Sequence, residues 1–163
     1  MKLTSTMMTM ALAAGRALYG EVAPALERSV TVCMDSVSGL GSALQARAIA
    51  SKMFGAIGVA INWHVGLAAC PSQSIQISLS QNTPKSQRPG AYAYALPYEG
   101  THIVVYYDRI SECYQKPLVT ILLAHVLVHE ITHILEGISR HSISGIMKAR
   151  WDNTDLGTWL GSP

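Results

Sequence analysis

Charge is scarce in this sequence: Asp, Glu, Lys and Arg make up 13% of its 163 residues, and the formal net charge is only +2. It contains no run of lysine or arginine, so it lacks the electrostatic footprint of a nucleic-acid binder. There is no internal repeat and no low-complexity stretch. The three cysteines, Cys33, Cys70 and Cys113, are never spaced as CxxC, which argues against a cysteine zinc knuckle. What the chain does have is apolar residues, 49% of the total and spread along its length. At this length it can form one domain with a substantial core, and hardly two.

The first residues stand apart. Lys2 precedes an uncharged stretch from Leu3 to Gly15, and Ala11-Leu12-Ala13 fits a small-x-small cleavage pattern. Residues 1–14 therefore read as a thin signal peptide, implying export to a periplasm or the exterior; the stretch is too short to span a bilayer. The other reading is an N-terminal helix continuing through Leu18 in a cytoplasmic protein. Export would allow one disulfide, with Cys70–Cys113 as the expected pair, and one free thiol. Three buried free cysteines fit equally well.

Hydrophobic periodicity outlines an α+β domain over 15–163. Val30 to Met34 alternates as a strand with Val30, Val32 and Met34 on one face. Gly39 and Gly41 mark a turn. Ser42 is placed to cap a helix running to about Ile57, with Ala46, Ile49, Ala50, Met53 and Ile57 as its apolar stripe. Val59–Val65 and Ser74–Ser80 read as further strands, the latter with Ile75, Ile77 and Leu79 inward. Residues 81–90 form a polar, flexible loop, Ala91–Ala95 an edge strand stopped by Pro97, and Thr101–Tyr107 a stronger strand. Pro117 opens a helix that Gly137 closes, apolar on nearly every face between Leu118 and Leu135. His125, His129, Glu130 and His133 interrupt it, so a buried core helix is expected rather than a membrane span. After Gly137 the chain reads as short and irregular.

On that helix His129 and His133 lie four residues apart, so both imidazoles project from one face at the spacing that two ligands of one tetrahedral zinc require. Glu130 is offset around the helix and can reach a water on the metal rather than the metal itself. Zinc lowers the pKa of such a water, and a carboxylate then takes its proton as general base. A catalytic site needs a third ligand, and the residues downstream offer Glu136, His141, Asp152 and Asp155. Glu136 is poorly placed, only three residues beyond His133 on the same helix. His141 is favoured, because Gly137 lets the chain turn back; Asp152 and Asp155 remain open. His125, one turn earlier, either supports the site or packs in the core. Trp151 and Trp159 are expected to close the C-terminal part over the core.

The stretch His129-Glu130-Ile-Thr-His133 through Gly137 and His141 to Met147 resembles the metzincin metallopeptidases, most closely minimal, archaemetzincin-like members. That resemblance implies His129, His133 and His141 as ligands of one catalytic zinc ion, Glu130 as general base and Met147 as the residue of the Met-turn. It implies a zincin-like α/β sandwich: a mixed twisted sheet, a backing helix, an active-site helix, an N-terminal subdomain over about 30–137 and a short C-terminal one over 138–163. A peptide or protein substrate would lie extended along Ala91, Tyr92, Ala93 and Tyr94, hydrolysed by a monomeric enzyme. The pattern here, HExxHxxxGxxxH, is two residues longer than the family's, and the archaemetzincin cysteines for a second zinc are absent.

Overall fold

A computed structural model describes residues 28–35, 41–68, 70–96, 98 and 100–161; the leader expected over 1–14, Gly39 and Pro97 fall outside them. In chain order the elements are β1 (Arg28–Met34), α1 (Gly41–Gly55), β2 (Val59–Val65), β3 (Ile75–Ser80), β4 (Ala93–Ala95), β5 (His102–Tyr106), α2 (Tyr107–Cys113), α3 (Lys116–Glu136) and α4 (Asn153–Gly161). The strands form one mixed sheet in the order β2-β1-β3-β5-β4. All neighbours run parallel except β4, which pairs antiparallel with β5 and forms an edge of the sheet. The result is a mixed α+β architecture.

One face of the sheet is the core face. Val32 and Met34, Ile75, Ile77 and Leu79, and Ile103 and Val105 alternate onto it and meet α1 and α3. Leu122, Leu123, Leu127 and Ile131 of α3 are fully buried there, each contributing roughly 2 kcal/mol by apolar burial. α1 presents Ala43, Ala46, Ala50 and Phe54 to this layer. Ile57, expected on the same stripe, is exposed, because the helix stops at Gly55 and leaves through Gly58 at φ 75°. Ser42 lies inside the helix, and its hydroxyl pairs with that of Tyr107 at 2.8 Å.

Cys33 alternates to the opposite face of β1 from Val32 and Met34. There it is bonded to Cys70 in the segment after β2. The expected Cys70–Cys113 pair is therefore wrong: the face that Cys33 takes on β1 and the return of the chain after β2 set the partner.

The expected strand to Tyr107 ends at Tyr106, and α2 follows without a break. Two of its side chains anchor the loop that was expected to be flexible. The Asp108 carboxylate accepts from the backbone N–H and hydroxyl of Thr83 at 2.7 and 2.6 Å. Arg109 donates to the carbonyls of Arg88 and Ala91 at 2.7 and 2.8 Å.

Among the described residues α3 is the one helix long and apolar enough to cross a bilayer, and 72% of that window is buried inside the protein, as a central core helix must be. The tail differs from its expected irregular course. Asp152 accepts from the N–H groups of Thr154 and Asp155, while Asp155 reaches back to the N–H of Asp152, a reciprocal cap that starts α4.

Candidate metal centre

The two helical histidines are set by α3 itself. Each has its Nδ1 against a backbone carbonyl: Ile146 at 2.8 Å for His129 and Ile138 at 2.9 Å for His133. A carbonyl only accepts, so each Nδ1 carries the proton and donates. Both Nε2 atoms are then left with lone pairs, and they face each other at 3.0 Å. Two bare acceptors at that separation repel, unless a cation lies between them or a proton is forced into buried surroundings.

The acceptor for His133 comes from the way α3 ends. Gly137 adopts the left-handed conformation at φ 63°, its N–H bonding to Ile134 O and that of Ile138 to His133 O, a Schellman closure. That turn reverses the chain and puts Ile138 O under the His133 ring. The candidate ligand atoms of His129, His133 and His141 all lie within 4.8 Å of one another. His129 and His133 are buried and His141 is exposed, so the cluster has a closed side and an open one. Three converging imidazole nitrogens with an open position are a donor set that fits zinc.

Beyond His141, the Ser142 N–H donates to Met147 O at 2.8 Å, and Gly145 at φ 73° turns the chain so that Ile146 lies beneath His129. Met147 sits in this turn, and it lines a shallow recess with His141. Asp152 and Asp155, considered as ligands, are committed elsewhere. They cap α4 and bind Lys148 Nζ at 2.9 and 2.7 Å, which holds both carboxyls below their ordinary value. Neither belongs to the histidine cluster.

Burial holds His129 at a pKa of about 4 against the opposing pull of the Ile146 carbonyl, and burial likewise lowers His133. Burial raises the neighbouring Glu130 to about 7. Glu130 lines two adjoining clefts beside the cluster, and its carboxylate accepts no hydrogen bond from any described residue. It is thus free to exchange a proton with whatever occupies the groove.

That groove consists of two adjoining clefts, of about 290 and 480 Å³, which share His129, Glu130 and His141. Ala91, Tyr92 and Ala93 wall the first, and Ala91, Ala93 and Tyr94 the second. Ala149 and Arg150 line both clefts as well, with Trp151 in the first. Tyr98 is 74% exposed and lines neither cleft.

His125 packs in the core rather than joining the cluster. Its Nδ1 bonds Ile121 O at 2.8 Å and its ring stacks on Trp159 at 3.6 Å. Trp159 in turn meets Trp151, whose ring stands edge-on to His129. This aromatic chain ties α4 to the histidine cluster. Arg109 and Arg150, which shape and line the groove, had no local sequence signal. The reciprocal Asp152/Asp155 cap did have one, in the spacing of two carboxylates across three residues.

No family model, curated protein or solved structure matches this chain.

Proposed function

We propose that this protein is a zinc-dependent metallopeptidase of metzincin-like, zincin-type architecture. The observation that supports this most is the convergence of His129, His133 and His141 beside the unpaired Glu130, at the middle of a groove bordered by the sheet edge. The three histidines would hold one zinc ion. Zinc, when bound, supplies a Lewis acid that polarises a carbonyl and makes water acidic near neutral pH.

The remaining work falls to the chain. Glu130 takes the proton of the attacking water at its carboxylate and passes it to the departing amine. The Ile146 and Ile138 carbonyls keep the ligating tautomers of His129 and His133. Among the described residues β4 pairs with β5 alone, so its outer edge can take an extended peptide beside Ala93 and Tyr94, while the Ala91 N–H and carbonyl are already held by Arg88 and Arg109. Met147, in the turn beneath the cluster, takes the role of the Met-turn residue. The Cys33–Cys70 disulfide supports export to an oxidising compartment, such as a periplasm or the exterior.

The test is a digest of a peptide library by the full chain loaded with zinc, set beside Glu130→Gln. The wild type should cleave, and the variant should keep about one zinc per chain while losing at least a hundredfold in rate. Full activity in the variant contradicts the assignment of the base. Zinc binding without cleavage by the wild type supports the second reading, a zinc-binding protein without peptidase turnover.

A further inference from the structure

The groove differs in charge along its length. Arg150 lines both parts; the larger adds Arg88, Tyr94 and Ser139, whereas the smaller adds Val126, Trp151 and Lys148. The Lys148 charge is met by Asp152 and Asp155 at 2.9 and 2.7 Å. Arg88 and Arg150 have no such partners. Both are exposed, and among the described residues neither guanidinium enters a hydrogen bond or an ion pair.

Their placement is nevertheless defined. Arg109 grips the Arg88 carbonyl at 2.7 Å, fixing the backbone of that residue while its side chain stays free. Arg150 directly precedes Trp151, which is seated against the His129 ring at 5.4 Å between centroids. Among the described residues, the only acid lining either cleft is the buried Glu130. Two arginines whose guanidinium groups have no partner among the described residues thus line the same, larger cleft. A guanidinium presents a planar fork of donors that matches a carboxylate, so a groove built this way selects anionic side chains.

We propose that the substrates are acidic peptides: an Asp or Glu side chain is held by Arg88 and Arg150 on one side of the scissile bond, and an apolar or aromatic residue lies against Val126 and Trp151 on the other. This rests on reading the groove as a peptide cleft and names the class of peptide it takes. Acidic partners gain affinity from the arginines and apolar ones from the aromatic half. A peptide uniformly basic along its length is excluded by charge.

Binding without turnover tests it. Fluorescently labelled peptides, acetylated and amidated at their ends, carry Glu or Gln at one scanned position beside a Leu-Phe pair. They are titrated against the zinc-loaded, full-chain Glu130→Gln protein and read by anisotropy. The Glu peptide should bind roughly tenfold more tightly at one position, the increment of a charged hydrogen-bonded pair. Arg88→Ala and Arg150→Ala should each remove most of that preference, while leaving the Gln peptide within about twofold. Equal affinity for Glu and Gln peptides at every position overturns the proposal, as does a preference that survives the double arginine variant. Tight binding only by peptides with a free C-terminal carboxylate overturns the side-chain assignment in favour of end recognition. Failure of every peptide to bind overturns the peptide cleft itself. Since nothing is cleaved in this assay, an error in the role of Glu130 shows in the digest and not here.

Discussion

Helix α3 and the arm that follows it, residues 138–161, both contribute to the candidate centre, but they hold their residues by different physics. His129 and His133 are buried on one face of a helix locked between α1 and the sheet. Their separation follows from helical geometry alone. His141 is exposed, and its position depends on a chain of small devices: the left-handed Gly137, the turn at Gly145, the cap of α4 and the edge-on contact of Trp151 with Trp159. The helix therefore makes a rigid two-point support, and the arm makes an adjustable third point. The arm also repays the helix, since Ile146 and Ile138 carry the carbonyls that fix the helical imidazoles.

The helical half should tolerate least. His129→Ala or His133→Ala removes a buried ligand, and zinc content by elemental analysis should fall from about one per chain to near zero. A variant that keeps full zinc would place the metal elsewhere.

Next comes the joint between the halves. Gly137→Ala forces a Cβ into a left-handed position, which costs about 1 kcal/mol and should lower Tm by about 3 °C. The same change displaces Ile138 and His141 together, so zinc affinity should drop roughly tenfold. Loss of stability with unchanged affinity would show that the arm finds the metal without the Schellman turn.

The smallest effect belongs to the far end of the arm. Asp152 caps α4 and pairs with Lys148, and these contacts hold its carboxyl at a pKa of about 2, down from 3.8. A depressed carboxyl stabilises the fold above its unfolded value, and that contribution is lost as pH falls toward the folded one. Asp152→Ala should therefore lower Tm slightly at pH 7, with the gap to wild type closing between about pH 4 and pH 2 in thermal melts. A gap that persists at pH 2 would assign the effect to packing instead of charge.

The same contrast governs what could be read from the residues. α3, its His129/Glu130/His133 face and its Gly137 stop were legible because they repeat at helical spacing and end in a residue suited to positive φ. β3 was legible from strict alternation of Ile75, Ile77 and Leu79 with polar residues. α2 was hidden because Tyr106 and Tyr107 continue an aromatic, β-branched run and no side chain caps the helix. α4 was hidden by two glycines within nine residues, although Asp152 and Asp155 announce its cap. The Cys33–Cys70 pair depends on the face of β1 that each side chain takes and on where the chain returns after β2. The groove wall of Arg88 and Arg150 is assembled from segments about sixty residues apart, with no local pattern to mark it. Local periodicity reveals the helical half of the site, and tertiary packing determines the rest.

Zinc-edge X-ray absorption on the loaded full chain, beside His141→Ala, tests the joint centre most directly. The account predicts three imidazole nitrogens per zinc in the wild type and two in the variant, with zinc affinity weakened at least tenfold. Two imidazoles in both proteins, with unchanged affinity, would contradict it.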